Sequence, residues 1–193
     1  MAAGTQSIIL ASMMNQAQDS NFDSAGVSIQ FVDEGAGVPV ILIHGFTGTA
    51  EMWSRPGIIE DLTKQFRVVA MDCRGHGKSG KPHNPNAYGL HMIADVISLM
   101  DELEIAQAHI VGYSMGAEIA LRLTVDYPSR VLSLVIGGSG WSGKLEAADY
   151  TRTGESLDTS GSFGSLMRSR TSAGKPPPTA AMIDAMDRVL LVN

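Results

Sequence analysis

Five stretches of the chain have the length and the pattern of β-strands. Four are continuous apolar runs bounded by glycine or polar turn residues, which is typical of strands buried on both faces of a parallel sheet. The first along the chain is a less apolar strand that ends in a glycine-rich turn. The five stretches are 27–35, 38–45, 66–72, 108–114 and 131–138.

Two stretches between these strands have the periodicity of helices. The apolar stripe of the first consists of Ile93, Val96, Ile97, Met100 and Leu103. Residues 115–127 are apolar except for one narrow polar stripe, and Pro128 ends this second helix. The alternation of strands and helices predicts an α/β fold, with a mostly parallel, doubly wound sheet and right-handed crossovers.

The pattern also divides the chain into three parts. We expect residues 1–19 to be a disordered leader, or to result from a wrongly chosen start of the protein sequence. A secretory signal is disfavoured because it needs a basic first segment, and the first basic residue is Arg55. Residues 20–138 hold the strands and helices and form the expected core. Residues 139–193 are rich in Gly, Ser and Thr, end in a short amphipathic stretch, and are expected to form a lid or cap.

Composition narrows the choice of protein class. The 193 residues are 44% hydrophobic and 18% charged, which suits one globular domain. The formal net charge of −6 argues against nucleic-acid binding, because phosphate contacts need clustered Lys and Arg. No apolar run reaches the ~18 residues of a membrane-spanning helix. The lone Cys73 fits a reducing compartment, so we expect a cytoplasmic protein, and the His and Cys spacings match no zinc site.

The segment "GYSMG", residues 112–116, has the pattern G-x-S-x-G between a predicted strand and a predicted helix. In that context the pattern indicates a nucleophile elbow, a sharp turn that exposes a serine hydroxyl at the carboxyl edge of the sheet. Ser114 is therefore the candidate nucleophile. Gly112 and Gly116 are expected to let the strand and the helix approach closely. The N-terminus of the helix favours negative charge beside the serine.

The segment "HGFTG", residues 44–48, ends another predicted buried strand. A serine nucleophile needs two N–H donors for the developing oxyanion, one from the residue after the serine and one from a loop of this kind. We predict Met115 and Phe46 as these donors. His44 and Gly45 are expected to support the loop, His44 through hydrogen bonds rather than as a base.

The segment "MDCRGHGKSG", residues 71–80, is dense in glycine and closes the next strand. Asp72, Arg74 and His76 are predicted to stabilise a tight turn there. A phosphate site is not indicated, because the pattern G-x-x-x-x-G-K-[ST] is absent.

Three segments in this order and spacing resemble the α/β-hydrolase superfamily: "ILIHGFTGTAEMW", "VVAMDCRGHGKSGKP" and "HIVGYSMGAEIALRLTVDYPSRVLSLVI". The similarity spans roughly residues 27–138 and is closest to small bacterial serine hydrolases such as esterases, enol-lactonases and carbon–carbon bond hydrolases. It implies Ser114 as the nucleophile, Phe46 and Met115 as oxyanion donors, and no cofactor. Relatives with Asp at the elbow resemble dehalogenases or epoxide hydrolases, so Ser114 indicates acyl-enzyme chemistry instead.

The resemblance also implies an acid and then a histidine after the nucleophile. The five histidines are His44, His76, His83, His91 and His109, and all precede Ser114. We therefore expect the chain to be truncated after the strand at 131–138, which the resemblance makes the sixth of the family's sheet, and part of the lid. A rearranged site that uses His76, His83 or His91 is the less favoured alternative. Asp149 and Asp158 are candidate acids, although each is more readily explained as a surface carboxylate.

Two functions remain open at this point. The first is a serine hydrolase that cleaves a carboxylic ester, a lactone or a related small acyl compound. The alternative is a non-catalytic scaffold of the same fold that binds a small ligand or a protein partner. Without further strands, residues 131–136 would form an exposed apolar sheet edge, so a dimer through that edge is also an expectation.

Overall fold

The computed structural model describes residues 18–139 of the chain. The strands are β1 (Gln18–Ser24), β2 (Val27–Gly35), β3 (Val38–Ile43), β4 (Phe66–Met71), β5 (Ala108–Tyr113) and β6 (Val131–Gly137). The α-helices are α1 (Ile58–Leu62), α2 (Leu90–Glu102) and α3 (Met115–Asp126). Short 3₁₀ turns cover Ala50–Trp53, Pro85–Ala87 and Pro128–Arg130.

These strands form one sheet in the order β1-β2-β4-β3-β5-β6. Strands β4, β3, β5 and β6 are parallel, whereas β2 and β1 extend the sheet in antiparallel fashion. The predicted α/β fold with a mostly parallel sheet is therefore confirmed. Each of the five predicted strands begins at its predicted residue and ends within two residues of its predicted end.

The sequence pattern does not predict strand β1, whose first two residues fall inside the predicted leader. Its sequence, QDSNFDS, contains a single large apolar residue, Phe22. The strand is held instead by antiparallel pairing with β2 along its whole length. Phe22 is buried and packs edge-on against Phe31 of β2. The rest of the predicted leader, and the predicted lid after Ser139, lie outside the described residues.

Alternate side chains of the central strands enter two separate cores. On one face, α2 and α3 cover Ile41, Val69 and Ile110. On the other face, Trp53 of the first 3₁₀ turn and Ile59 of α1 belong to a second buried cluster with residues of β3 and β4. Helical segments therefore lie on both faces of the sheet, as a doubly wound α/β fold requires. None of the helices within residues 18–139 is both long and apolar enough to cross a membrane.

The parallel strands bring their carboxyl ends to one edge of the sheet. Ile43 of β3 lies level with Met71 of β4 and with Gly112 of β5. The loops that follow these three strands therefore start side by side, although they are far apart in sequence. In open α/β sheets this edge is where ligands bind.

Candidate active site

Ser114 occupies a sharp turn between β5 and α3. Its backbone has φ 52° and ψ −115°, a conformation that residues with side chains rarely adopt. Three backbone hydrogen bonds hold it there. The Ser114 N–H donates to the Gly137 carbonyl at 2.8 Å, and the Ser114 carbonyl accepts from the N–H groups of Ala117 at 2.9 Å and Glu118 at 3.3 Å. The strained turn places the serine at the carboxyl edge of the sheet, at the start of a helix.

The two glycines that flank the serine permit a very close approach of backbones. A methyl group at position 112 would lie 2.2 Å from the Gly116 carbonyl oxygen. One at position 116 would lie 2.1 Å from the Ile43 carbonyl oxygen. No side chain fits at either position, so α3 can begin directly against β5 and β3 only with glycine there.

The loop after β3 lies against the serine. A methyl group at Gly45 would be 3.2 Å from the Ser114 Cβ and 3.1 Å from the Tyr113 ring. The Gly45 carbonyl accepts hydrogen bonds from His44 Nδ1 at 2.7 Å and from the Gly48 N–H at 2.9 Å. Since the peptide between Gly45 and Phe46 is trans, the Phe46 N–H points away from that carbonyl.

Met115 lies on the other side of the serine, as the first residue of α3. The first N–H groups of an α-helix have no acceptor within the helix and carry its positive dipole end. The structure therefore brings Ser114, the loop of Gly45 and Phe46, and the Met115 N–H to one edge of the sheet. These are the residues that the sequence motifs single out.

His44 is a fully buried support of this loop. Its Nε2 accepts a hydrogen bond from the Cys73 N–H at 2.9 Å, so the ring proton must be on Nδ1, which donates to the Gly45 carbonyl. Burial lowers the pKa of His44 below its usual range, although the Gly45 carbonyl and Asp72 oppose that shift. Both ring nitrogens are occupied, so His44 links β3 to the loop after β4 and is not available as a base.

His76 lies beside the loop of Gly45 and Phe46. The sequence motif that contains His76 does not predict this contact. Its ring makes edge contacts with His44, at 5.1 Å between ring centroids, and with Phe46, at 5.5 Å. Its Nδ1 lies 3.1 Å from the Arg74 carbonyl, and its Nε2 has no partner among the described residues. Burial, reinforced by His44, lowers the pKa of His76 to about 4, so the ring is neutral near pH 7.

Asp72 and Arg74 hold the loop after β4, as predicted. The Asp72 carboxylate accepts hydrogen bonds from the Lys78 N–H at 2.8 Å, across the turn, and from the Ala50 N–H at 2.7 Å, in the loop after β3. Arg74 forms a buried ion pair with Asp95 of α2, with its Nε 2.6 Å from a carboxylate oxygen. These bonds fix the loop to two neighbouring elements.

The other three histidines lie away from the serine or on the surface. His83 and His91 are exposed, in the loop after β4 and in the first turn of α2. His109 is near the amino end of β5 and bonds Ser133 Oγ at 2.7 Å. It is therefore about 16 Å from Ser114 along the strand, at ~3.3 Å per residue. No described histidine hydrogen-bonds the Ser114 hydroxyl, and Asp149 and Asp158 lie outside the described residues.

The described residues hold no group of three His, Cys, Asp or Glu side chains placed to bind a metal ion. The chemistry that this site can offer is that of the serine hydroxyl, two backbone N–H groups and a helix N-terminus. A combination of this kind suits a reaction in which negative charge develops on an oxygen atom next to the serine.

Comparison with known proteins identifies the family. The profile of the alpha/beta hydrolase fold matches residues 38–157, which is more than half of the chain. The chain therefore belongs to the alpha/beta hydrolase family, and several of its relatives are named as hydrolases. The match contains all three of the sequence segments that carry the resemblance.

Individual relatives differ in their reactions. The 2-hydroxymuconate semialdehyde hydrolase of Pseudomonas sp. (strain CF600) is 36% identical over 117 residues, which is 60% of this chain and 41% of that protein. An epoxide hydrolase mutant of Vigna radiata has a solved structure with a TM-score of 0.59 and 30% identity, over 62% of this chain and 38% of that one. Est816, described as an N-acyl homoserine lactone degrading enzyme, has a TM-score of 0.64 and 28% identity, over 90% of this chain and 66% of that one.

The chain spans only part of these relatives. It covers 34–41% of the length of the first curated proteins that it matches. The matched part of this chain includes the serine and the loop of Phe46.

Proposed function

We propose that the chain carries the nucleophile of a serine hydrolase that acts on a carboxylic ester, a lactone or a related small acyl compound. The observation that carries the proposal is the Ser114 turn, with its positive φ, next to the loop of Gly45 and Phe46. A strained serine at this junction is the geometry that a nucleophile elbow requires.

In the proposed reaction the Ser114 hydroxyl oxygen attacks the substrate carbonyl carbon. The carbonyl oxygen becomes an oxyanion that accepts hydrogen bonds from the Phe46 and Met115 N–H groups. The serine proton passes to a general base, which the described residues do not supply, and then to the leaving alcohol; a water molecule releases the acid from the acyl-enzyme. A cofactor has no part in these steps.

The identity of the nucleophile favours acyl compounds over epoxides. Several relatives are epoxide hydrolases, and their similarity to this chain supports the shared fold. An acyl-enzyme on Ser114 is released by ordinary ester hydrolysis, and Est816 and the carbamate hydrolase of Caulobacter vibrioides have names that refer to acyl compounds. We therefore propose a carboxylic acyl group at the reacting carbon.

The placement of the histidines favours one alternative function for the chain as given. Burial lowers the pKa of both His44 and His76, His109 lies far from the serine, and all five histidines of the given sequence precede Ser114. A serine without a base is a weak nucleophile. The second candidate is therefore a non-catalytic scaffold that binds a small acyl ligand at the same edge of the sheet.

A fluorophosphonate probe separates the two candidates. The probe phosphorylates only an activated serine, and intact mass spectrometry counts the adducts. If the hydrolase proposal is correct, the 193-residue chain gains one adduct, S114A gains none, and S133A, which removes a serine near the other end of the sheet, reacts like the parent. If the parent gains no adduct, the hydrolase proposal fails for this chain. Saturable binding of a small lactone, with no turnover, would then support the scaffold.

A further inference from the structure

One aromatic ring touches the residues on both sides of Gly45. His44 and Phe46 are separated by this single glycine, and the His76 ring makes an edge contact with each of them, at 5.1 Å and 5.5 Å between centroids. His76 comes from the loop after β4, about thirty residues further along the chain. The ring thus bridges the two ends of the Gly45 segment from outside its own loop.

Several hydrogen bonds and one ion pair anchor the loop that carries the His76 ring. His76 N–H donates to the Cys73 carbonyl at 3.0 Å, and the Ser79 N–H donates to the His76 carbonyl at 3.0 Å. The Ser79 hydroxyl also bonds the Asp72 carbonyl at 2.7 Å and accepts from the Gln30 N–H at 2.8 Å. The Arg74–Asp95 ion pair ties the same loop to α2. The loop that carries the ring is therefore bonded to the sheet and to a helix, independently of the loop after β3 that the ring contacts.

The hydrogen bonding of the two His76 ring nitrogens does not explain why an aromatic ring lies between the two loops. Nδ1 serves the Arg74 carbonyl within the same loop, and the buried Nε2 has no partner in the described part of the chain. An unsatisfied buried acceptor costs about 1–3 kcal/mol, so this atom does not stabilise the fold. The ring connects the two loops through its flat shape and its edge contacts with His44 and Phe46.

The His76 contacts act on the segment that carries the Phe46 N–H, whose placement matters for the proposed reaction. The Gly45 carbonyl is fixed by His44 and Gly48, and the trans peptide sends the Phe46 N–H the opposite way. A displacement of the Gly45 segment would move this N–H relative to Ser114. His76 contacts the side chains at the two ends of the segment, His44 and Phe46, so it opposes such a displacement.

We propose that His76 is a positioning residue, which holds the Phe46 N–H in place by packing against His44 and Phe46 at the two ends of the Gly45 segment. The inference rests on the proposed function in one respect: it takes the Phe46 N–H to be an oxyanion donor. The packing itself is a property of the folded chain, and it can be measured without turnover.

The test compares two apolar replacements that differ in shape. H76F keeps a flat ring, H76L removes it, and both remove the two nitrogens. V96A, a buried truncation in α2, is the control for general loosening. The chain has five phenylalanines, so ¹⁵N-phenylalanine labelling gives a simple amide spectrum in which F46L identifies the Phe46 signal.

We expect H76L to shift the Phe46 amide signal and to raise its hydrogen-exchange rate about tenfold or more, as expected when a local contact is lost. H76F should restore most of the parent behaviour, and V96A should leave the signal in place. Equal Phe46 signals in H76L and H76F would overturn the proposal, as would an equal shift in V96A.

The probe reaction gives the second readout. In a parent chain that labels at Ser114, H76L should slow labelling about tenfold, less than the ~10²–10³ that follows complete loss of one oxyanion donor. An unchanged labelling rate in H76L would contradict a positioning role. If the parent does not label, the hydrolase proposal fails, and the amide spectra alone decide whether His76 holds the loop in place.

Discussion

The turn that holds Ser114 requires that residue 116 has no side chain. A methyl group at position 116 would lie 2.1 Å from the backbone oxygen of Ile43, and backbone cannot yield as a side chain can. G116A gains about 1 kcal/mol of helix propensity. We expect the overlap to outweigh that gain and to lower the free energy of unfolding by about 3 kcal/mol or more. Urea unfolding measures the change.

A control substitution on α3 shows whether the loss of stability is specific to the close contact at Gly116. V125A removes an exposed side chain from α3 and should change the free energy of unfolding by less than about 0.5 kcal/mol. If G116A unfolds at the urea concentration of the parent, the close approach of α3 and β3 does not exist in solution.

The buried histidines make stability depend on pH. The pKa of His76 is lowered to about 4 in the folded chain, whereas an unfolded histidine titrates near 6.5. Below pH 6.5 the unfolded chain therefore binds more protons, and the free energy of unfolding falls as the pH falls towards 4. For His76 the loss between pH 7 and pH 5 is about 2 kcal/mol. His44 adds a loss of the same sign, since burial lowers its pKa too.

H76F isolates this contribution. Urea unfolding of the parent and of H76F at pH 7 and at pH 5 should show that the parent loses about 2 kcal/mol more than the variant. Carboxylate groups titrate in both proteins and cancel in the comparison. Parallel losses in the two proteins would show that His76 is not buried in a neutral form.

At the scale of elements, one ion pair connects α2 to the loop after β4. Arg74 and Asp95 are almost fully buried, so each relies on the other. D95N leaves the Arg74 charge without its partner and should lower the free energy of unfolding by about 3–5 kcal/mol. D61N breaks the exposed pair with Lys64 and should leave the free energy of unfolding almost unchanged, because solvent screens that pair. Similar changes in the two variants, measured by urea unfolding, would contradict the buried pair.

The elements that the sequence predicts are those with a local signal. The strand at 38–43 is apolar throughout, and the strand at 108–113 is apolar except for His109. The elbow follows directly from the G-x-S-x-G pattern between two elements. Strand β1 has one buried apolar residue, Phe22, and owes its conformation to pairing with β2, so periodicity could not find it. The contact of His76 with Phe46 depends on the parallel register of β3 and β4, and no local pattern encodes that register.

At the scale of the whole molecule, the two edges of the described sheet differ in character. Strand β1 reads QDSNFDS, with two acidic residues that discourage pairing with other strands. Strand β6 reads VLSLVIG and has no charge and no proline, and Leu132, Val135 and Ile136 are exposed. An unprotected apolar edge of this kind is a template for another strand.

We propose that β6 pairs with β6 of a second copy, about a two-fold axis, when the chain is studied alone. Such pairing would join two sheets and cover the exposed apolar side chains. Light scattering after size exclusion should then give a mass that rises towards a dimer with concentration. V135K should shift the chain towards the monomer, because a charge on the edge opposes pairing, whereas N21K on the polar β1 edge should not. A parent that stays monomeric at every concentration would show that β6 is covered within one chain, and the apolar edge would then belong to the interior of the molecule.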